Sequence, residues 1–393
     1  MSLLLPGMLI CLEVCRYLLV ELFFYRKKNR TGSSTVQSEQ GTISVLQPIL
    51  SGDAELWANL RYNLTIDHDI NTEWVWLVDA SDRKGLQGCQ QIITDFPSKK
   101  IRLIVCPDAP DSVNPKVFKL DIGVKETKSK YIAVLDDDTM ITPELLPESR
   151  ASLKSEPADL VFGLPYYISK TTIWSTLVAS FVNSSSLLSY IPYTFLLKPF
   201  TINGMYYMTL RHTLVSKDVF RKIENDLCDD YAIAQFYSRC GLKLHQTPLL
   251  HPLNAKIESF SQFNKLLHRW FLFPMVSFIP QLRFHKLVVF FSFILMPIFS
   301  FWIGIILLVT VPKTLTRLSA LALWLTKALI LASINKRHLN SVDSIAPMLC
   351  MQLITPFYIV LASIRPKEMF WRDKRIKVLA SNKMKIISSS ILC

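Results

Sequence analysis

The chain has 393 residues, half of them hydrophobic, and its 44 lysines and arginines outnumber 31 aspartates and glutamates to give a formal net charge of +13. A soluble chain of this length would form two or three domains, but here the apolar residues are concentrated in a few segments. Residues 287–312 contain no charged side chain, and about 20 apolar residues are enough to span a bilayer. The composition therefore excludes an ordinary soluble protein and predicts an integral membrane protein.

The N-terminal segment predicts a membrane anchor. Residues 3–25 are mostly apolar, although they include Glu13, and the basic cluster "RKKNR" (26–30) follows at once. A cleaved signal peptide would carry its positive charge first, so this order favours an uncleaved anchor. The alternative is an amphipathic helix that lies in the membrane surface. The basic cluster places the polar region that follows it in the cytosol.

Two weaker apolar segments follow the strongest one. Residues 314–333 carry Arg317 and Lys327, which favours either a span with snorkelling ends or a helix shielded by its neighbours. Residues 345–364 are uncharged and long enough to span. Three C-terminal spans would place the tail outside the cytosol, whereas the eight basic residues between positions 365 and 385 favour the cytosolic side. The sequence leaves this conflict open.

Three parts follow from this distribution: an anchor and basic stop (1–33), a cytosolic domain with interfacial segments (34–286), and a transmembrane region with a basic tail (287–393). Within the second part, residues 171–197 are uncharged, rich in Ser and Thr, and interrupted by Pro192. They predict a surface that dips into the membrane rather than a span. An ordinary core helix is the alternative.

Strand-like and helix-like segments alternate in the polar region. The predicted strands are 42–50, 73–82, 100–107 and 131–139, and the predicted helices are 54–64, 86–96 and 116–127. This order predicts an α/β fold with a mostly parallel sheet covered on both faces. Ligands of such sheets bind outside the carboxyl ends of the strands. Because neither GxGxxG nor GxxxxGK occurs, a dinucleotide site or a P-loop is not supported.

Aspartates gather where the predicted strands end. The second strand ends at Asp79 and Asp82, and "VLDDDT" (134–139) places three aspartates after the fourth. If that strand stays extended, Asp136 and Asp138 share one face. Two oxygen ligands on one side suit a hard divalent cation that also binds phosphate oxygens. The alternative is a solvated turn, in which Asp is common for backbone reasons.

Two later motifs are equally ambiguous when taken singly. "CDDYAIAQ" places Asp229 and Asp230 at the start of a predicted helix, where the helix dipole favours carboxylates, and an ionised Asp is also what a general base requires. Arg269 and Trp270 stand shortly before the membrane region, where such a pair is a normal interfacial anchor. They would also serve as a phosphate clamp with an aromatic floor.

The order of these motifs resembles the processive-type inverting glycosyltransferases with a GT-A domain, whose signature is D, DxD, D and [QR]xxRW. Within that group it resembles the ceramide glucosyltransferases: "SVLQPILSGD" is similar to their first strand, and their later motifs are similar to "NPKVFKL", "GLPYY", "NGM", "DDY" and "SFSQFNKLLHRW". The resemblance covers residues 42–275 and extends to the membrane segments and "WRDKRIK". Three positions depart from the family pattern, namely Arg83, Phe162 and Leu266.

The resemblance implies a GT-A, Rossmann-like α/β domain that transfers a hexose, expected to be glucose, from a UDP-sugar to a lipid hydroxyl, expected to be that of ceramide, with inversion. Mg²⁺ or Mn²⁺ would be the cofactor, and no nucleic-acid partner is expected. The residues implied are Asp79, Asp82, Lys116, Arg269 and Trp270 for substrate binding, Asp136 and Asp138 for the metal, and Asp230, with Asp229 as the fallback, for removing the acceptor proton.

Several alternatives stay open at this point. Phe162 and Leu266 allow a different lipid acceptor, such as a hopanoid or diacylglycerol. A processive polysaccharide synthase would need more secure spans than the C-terminal region offers. A non-catalytic scaffold would not need to keep its mutually repelling acids, and an ion transporter would need carboxylates within its strongest span. The short N-terminus favours a bacterial inner membrane over a Golgi membrane.

Overall fold

The structure is a computed structural model of the chain, and it describes residues 4–31, 41–339, 344–371, 374–379 and 382–389. The chain divides into two compact units. A helical unit comprises Met1–Ser34, Lys170–Lys198 and Ile257–Pro366, and an α/β unit comprises Thr35–Ser169, Pro199–Lys256 and Lys367–Cys393. The boundaries after residues 33 and 286 remain predictions of the sequence.

Seven strands form the main sheet of the α/β unit. They are β1 (Ile43–Ile49), β2 (Thr72–Asp79), β3 (Ile101–Cys106), β4 (Tyr131–Leu135), β5 (Leu160–Tyr167), β6 (Tyr206–Leu210) and β7 (Leu244–Leu253). Their spatial order is β3-β2-β1-β4-β6-β5-β7. Only β6 runs antiparallel to its neighbours β4 and β5, while the other adjacent pairs are parallel. The prediction of a mostly parallel sheet is confirmed.

Helices are numbered in chain order. Those of the α/β unit are α2 (Leu56–Ile66), α3 (Arg83–Asp95), α4 (Pro115–Glu126), α5 (Leu145–Ser155), α7 (Arg211–Ser216), α8 (Val219–Ile223) and α9 (Asp229–Arg239). Those of the helical unit are α1 (Leu4–Thr31), α6 (Ile173–Leu196), α10 (Phe260–Phe273), α11 (Phe284–Phe290), α12 (Met296–Thr310), α13 (Thr314–His338) and α14 (Ile345–Ile364).

Both faces of the sheet are covered, as predicted. Every residue of β1 is buried, and successive side chains of a strand point to opposite faces. Val45 accordingly packs with Leu60 and Leu64 of α2 in one apolar cluster, whereas Leu46 packs with Leu120 of α4 in another. This two-sided burial explains why β1 carries apolar residues on both faces, and its two polar residues, Ser44 and Gln47, are hydrogen-bonded.

The aspartates of "VLDDDT" do not continue β4. The strand ends at Leu135, and the next residues form a turn in which the amide of Thr139 donates to the carbonyl of Asp136 at 3.1 Å. The extended geometry that would have placed Asp136 and Asp138 on one face is therefore wrong. Within this turn each aspartate has its own contact: Asp136 with Lys116, Asp137 with the Leu50 amide and Asp138 with the Thr139 hydroxyl.

Three helices of the helical unit are long and apolar enough to cross a membrane: Phe284–Thr310, Thr314–His338 and Ile345–Ile364. Within the first, a π-helical turn (Phe291–Leu295) precedes Pro297. Helix α1 is not among the three candidates, and its role as an anchor remains a prediction.

Lys327 of α13 is buried, in agreement with the alternative of a helix shielded by its neighbours. Its Nζ atom donates to Ser300 Oγ at 2.8 Å and lies 3.3 Å from Oε1 of Glu13 on α1. Glu13 also forms an ion pair with Arg16 at 2.6 Å. These buried charges therefore have partners within the helical unit.

Most of residues 171–197 form one continuous helix, α6 (Ile173–Leu196), which Pro192 does not end. The helix packs against α1 and α14. Val178, Leu187 and Ile191 are completely buried, and α6 belongs to the helical unit rather than to the α/β unit. Its role as a surface that dips into the membrane remains a prediction. The helix can be buried because it contains no charged residue, and its polar side chains carry only hydroxyl and amide groups.

The C-terminal tail forms a small sheet that the sequence did not predict. Strands β8 (Glu368–Trp371), β9 (Lys374–Val378) and β10 (Met384–Ser389) pair antiparallel in the order β10-β9-β8. Met369, Ile376 and Val378 are buried. This sheet belongs to the α/β unit.

Candidate active site

The predicted acidic residues meet at the edge of the sheet where the parallel strands end. Asp79 is the last residue of β2, and Asp82 caps the N-terminus of α3. The loop after β1 joins two acidic groups, because the amide of Ser51 donates to Asp82 Oδ2 at 2.7 Å and that of Leu50 donates to Asp137 Oδ2 at 3.0 Å. This is the edge at which α/β sheets bind ligands.

Lys116 lies at the centre of the second acidic group. Asn114 caps α4 and Pro115 occupies its first turn, which is a common start for a helix and fixes Lys116 in that turn. The Nζ atom of Lys116 lies 2.7 Å from Asp136 Oδ1 and 3.0 Å from Asp229 Oδ2, and it donates to the carbonyl of Gly204 at 3.0 Å. Three segments that are distant in sequence thus meet at one ammonium group.

These carboxylates hold Lys116 in its charged form. Burial alone would lower its pKa, but the negative charges of Asp136, Asp229 and Asp230 outweigh burial and raise the pKa of Lys116 well above its ordinary value. A permanently charged ammonium at this position is suited to bind either carboxylates or phosphate oxygens.

Asp230 lies at the start of α9 against Gly204. A methyl group on Gly204 would lie only 2.5 Å from Asp230 Oδ1, so the carboxylate occupies the space that a side chain at position 204 would fill. Burial and the adjacent charge of Asp229 raise the pKa of Asp230 to about 8. A carboxylate with a raised pKa is a stronger base than an ordinary aspartate, and its pKa lies near working pH.

The turn that carries Asp138 is held by hydrogen bonds from the Asn254 backbone and the buried side chain of Asn63. The Asn254 amide donates to the carbonyl of Asp138 at 2.9 Å. On α2, Asn63 Nδ2 donates to the carbonyl of Thr139, and Asn63 Oδ1 accepts from the amide of Ile141, both at 2.9 Å. Helix α2 and the end of β7 therefore hold the acidic turn in one conformation.

The acidic turn suits a divalent cation. Burial and the charges of Asp136 and Asp137 raise the pKa of Asp138 to about 7, which shows that negative charge is crowded here and that a bound cation would relieve it. All the donors are carboxylate oxygens, which Mg²⁺ and Mn²⁺ prefer. Among the described residues, no group of three or more His, Cys, Asp or Glu side chains could hold a metal ion. The remaining oxygen ligands of a cation here would therefore come from water or from a bound donor.

Asp79 and Asp82 lie in a separate group on the other side of the β1 loop. Lys119 Nζ pairs with Asp79 Oδ2 at 2.8 Å and donates to the carbonyl of Ile49 at 3.0 Å. Burial would raise the pKa of Asp82, but hydrogen bonds from Ser51 and Gly85 lower it below its ordinary value. Asp82 is therefore an ionised acceptor in a fixed position.

Arg269 and Trp270 lie on α10 in the helical unit. The ring of Trp270 stacks on Phe181 of α6, with centroids 5.9 Å apart and an interplanar angle of 25°. Their roles as a phosphate clamp and an aromatic floor remain predictions.

Comparison with known families identifies the chain at this point. The profile of Glycosyl transferase family 21 matches residues 7–384. The chain belongs to glycosyl transferase family 21. The resemblance to ceramide glucosyltransferases is confirmed at the level of this family, and the seven-stranded α/β unit is its GT-A-like core. The family-21 protein is thus a sugar-transferring enzyme.

Several solved glycosyltransferase structures are similar to the family-21 chain at low identity. The mannosyltransferase PcManGT from Pyrobaculum calidifontis, in complex with GDP-Man and Mn²⁺, is 12% identical with a TM-score of 0.46, over 90% of this chain and 99% of that one. S. aureus TarS 1–349 in complex with UDP-GlcNAc is 12% identical with a TM-score of 0.39, over 89% and 97%. No curated protein matches the chain.

A third solved structure contains a nucleotide and a metal together. Glucosyl-3-phosphoglycerate synthase from Mycobacterium tuberculosis, in complex with Mn²⁺, UDP and glucosyl-3-phosphoglycerate, is 16% identical with a TM-score of 0.35. The match covers 58% of the family-21 chain and 78% of the synthase.

Sequence reasoning missed three residues of the family-21 site. Lys119 pairs with Asp79, and Asp137 binds the Leu50 amide. The buried hydroxyl of Tyr207 on β6 has no hydrogen-bond partner among the residues that the structure describes. Only Lys119 left a local signal, because it follows Lys116 by three positions on a predicted helix and therefore lies on the same side.

Proposed function

We propose that this family-21 glycosyltransferase transfers glucose from UDP-glucose to the primary hydroxyl of ceramide, with inversion at the anomeric carbon. The observation that carries the proposal is that Lys116 contacts Asp136, Asp229 and the carbonyl of Gly204, while Asp230 packs against Gly204 itself. This group combines one fixed cation, acids suited to a metal and one carboxylate with a raised pKa. Those are the parts that a displacement at a sugar phosphate requires.

The donor would bind across the edge of the sheet. Asp82 is an ionised acceptor for hydroxyl or N–H groups on the uridine side, with Asp79 beside it. Asp136 and Asp138 would hold Mg²⁺ or Mn²⁺, and this cation would neutralise charge on the UDP leaving group. Lys116 already contacts Asp136 at 2.7 Å, so its ammonium lies where it would also contact the diphosphate. Arg269 would add a second positive charge, and Trp270 would pack beneath the sugar or the acceptor.

Asp230 would act as the general base. The acceptor oxygen forms a bond to the anomeric carbon while the bond from that carbon to the UDP oxygen breaks, and the acceptor proton passes to Asp230. Attack from the face opposite to the leaving group inverts the configuration. Asp229 is less suited to this role because its carboxylate is 3.0 Å from the Lys116 ammonium.

The family and the candidate spans support a lipid acceptor. Three helices of the chain could cross a membrane, which would keep the enzyme next to its acceptor. Phe162, one of the departures from the family pattern, is buried in the apolar core around β5. Its side chain is therefore not offered to an acceptor, and its effect on specificity would be indirect. Ceramide stays the first choice, with a hopanoid or diacylglycerol as the alternative.

The test is a transfer assay in membranes with radiolabelled UDP-glucose, Mn²⁺ and three acceptors: ceramide, diacylglycerol and a hopanoid alcohol. Asp230→Asn removes the base while preserving the size of the side chain. Asp95→Asn is the matched control, because Asp95 lies at the end of α3 and pairs only with surface groups, including Arg61 at 2.6 Å.

We expect label in glucosylceramide that is lost with EDTA and in Asp230→Asn but kept in Asp95→Asn. Label in another lipid would overturn the acceptor and keep the mechanism. A product that grows by many sugars would favour the processive synthase. No transfer from UDP-glucose or any other UDP-sugar would refute the proposal.

A further inference from the structure

The segment that leads into the acidic pair, residues 224–228, is held on one side by Asn114. This residue is completely buried. Its backbone amide donates to the carbonyl of Glu224 at 2.6 Å, and its Nδ2 donates to the carbonyls of Asp226 and Leu227 at 3.2 and 3.3 Å. The asparagine of "NPKVFKL" therefore caps α4 and also supports the segment before Asp229.

On the other side the same segment is held by Asn382 from the C-terminal tail. Asn382 Oδ1 accepts from the amide of Cys228, and Nδ2 donates to the carbonyl of Cys228, both at 3.0 Å. The carbonyl of Asn382 accepts from the amide of Leu227 at 2.7 Å. One side chain thus satisfies both peptide groups of the residue that immediately precedes Asp229.

The conformation of the tail is adapted to this contact. Asn382 is 2% exposed and has a φ of 66°, in the left-handed region that asparagine tolerates better than most residues. The next residue, Lys383, forms a β-bridge with Asp226, and its Nζ lies 2.9 Å from Asp226 Oδ1. The contact is therefore built from backbone, amide and charged groups together.

We propose that the C-terminal tail is part of the active site and that Asn382 is a positioning residue for Asp229 and Asp230. Asn382 is hydrogen-bonded to the backbone of Leu227 and Cys228, so it acts on the two carboxylates through that backbone. The proposal rests on the proposed function for the role of Asp230, whereas the packing of the tail does not depend on it.

A consequence for membrane topology follows. The chain leaves the α/β unit after Lys256 and returns to it at Lys367. A water-exposed unit lies on one side of a membrane, so an even number of segments between these residues crosses. The three apolar helices therefore do not all cross the membrane unless a further segment crosses as well. The basic tail then lies on the same side of the membrane as the candidate active site. This removes the conflict between span number and tail charge.

The packing is tested first, without reference to activity. A water-soluble carbodiimide joins a carboxylate and an amine in contact as an amide with loss of water. We expect mass spectrometry of treated membranes to find Asp226 joined to Lys383, whose side chain is 49% exposed. Lys383→Gln should abolish this product. The Lys125–Asp121 pair, at 2.6 Å on α4, is the positive control, and coupling there without coupling at 226–383 would overturn the proposal.

The positioning role is tested with Asn382→Gly. Glycine keeps the positive φ and the carbonyl bond to Leu227, so only the side-chain amide is lost. We expect kcat to fall between about tenfold and a hundredfold, as displacement of a catalytic group allows. The donor KM should stay within about twofold, and the pH profile of kcat should shift. Lys125→Gln, which removes an exposed pair on α4 outside the site, should keep wild-type kinetics.

An Asn382→Gly variant with unchanged kcat and pH profile would overturn the positioning role even if the crosslink forms. If the wild type transfers no sugar, the proposed function fails, and the crosslink still decides the packing. For the topology, a protease-cleavable tag after Cys393 and one inserted after Ser98, in an exposed turn of the α/β unit, should be cut from the same side of sealed vesicles. Cleavage from opposite sides would refute the even count.

Discussion

Replacing Gly204 by alanine should displace the proposed base with little effect on the fold. The new methyl group would lie 2.5 Å from Asp230 Oδ1 and 2.7 Å from its Cγ. Because non-bonded heavy atoms rest about 3.5 Å apart, the carboxylate must retreat by about 1 Å. A displacement of this size can cost about a hundredfold in rate, which corresponds to about 2.7 kcal/mol in the activation barrier.

The assay is sugar transfer under saturating donor, together with thermal unfolding of the same preparation. Asp230 presents the end of a side chain to the new methyl group, so it can rotate away and Tm should stay close to that of the wild type. Two alanine variants serve as controls. Gly88→Ala places a methyl group 2.1 Å from the ring of Trp57 and should lower Tm without lowering kcat of the folded enzyme. Gly85→Ala crowds Asp82 at 2.4 Å and should raise the donor KM.

These three variants distinguish a loss of stability caused by steric crowding from a loss of rate caused by displacement of Asp230. A Gly204→Ala enzyme with wild-type kcat and wild-type Tm would show that the position of Asp230 does not limit the rate. The assignment of the base would then be refuted, even though the family and the fold would stand.

Three further predictions follow from the charges of the site. Lys116→Met should raise the donor KM at least about tenfold, yet strengthen Mn²⁺ binding without donor, measured by electron paramagnetic resonance, because it frees Asp136. Burial in the folded state raises the pKa of Asp138 to about 7 and that of Asp230 to about 8, so the folded state binds more protons than the unfolded state. The free energy of unfolding should therefore fall as pH rises from about 4 to 8. In thermal unfolding, Asp230→Asn should show a smaller fall than the wild type. Mn²⁺ should raise the Tm of the wild type and of Asp137→Asn, but not of Asp138→Asn, and EDTA should reverse the rise.

The sequence was sufficient where local pattern and burial agree. Strand β1 carries apolar residues toward both faces because both are covered, and its bounds were predicted within one residue at each end. The same reasoning found β2 to β4 and helices α2 to α4. It missed the antiparallel insertion of β6, because strand pairing is decided by long-range contacts that no local pattern records.

The tail sheet was missed for a related reason. Strand β9 alternates Ile376 and Val378 with lysine over only five residues, and a run this short with so many charges reads as a solvated tail. The hydrogen bond between Asn382 of the tail and Cys228 joins positions 154 residues apart. No sequence pattern in either segment predicts that the two meet, so the contact between the tail and the segment before Asp229 could be found only from the structure.

For the acidic residues, the sequence predicted the positions and not the partners. The alternation rule placed Asp137 away from the site, but the turn gives each aspartate its own role: Asp136 contacts Lys116, Asp137 binds the Leu50 amide, and Asp138 is left with a raised pKa. The rule failed because it assumes extended backbone, which ends at Leu135.

Three adjacent aspartates are unfavourable for folding, and this is the strongest physical argument that they serve a function. Ionised together, they repel one another in a partly buried turn that Asn63 and Asn254 hold rigid, so the turn cannot relax to separate the charges. A fold selected for stability alone would replace one of them by asparagine. Because a divalent cation bound together with the donor would offset the repulsion, the stability lost in the free enzyme reappears as affinity for the donor complex. Asp138→Asn should therefore make the protein more stable and less active at the same time, and a variant that loses both would contradict this account.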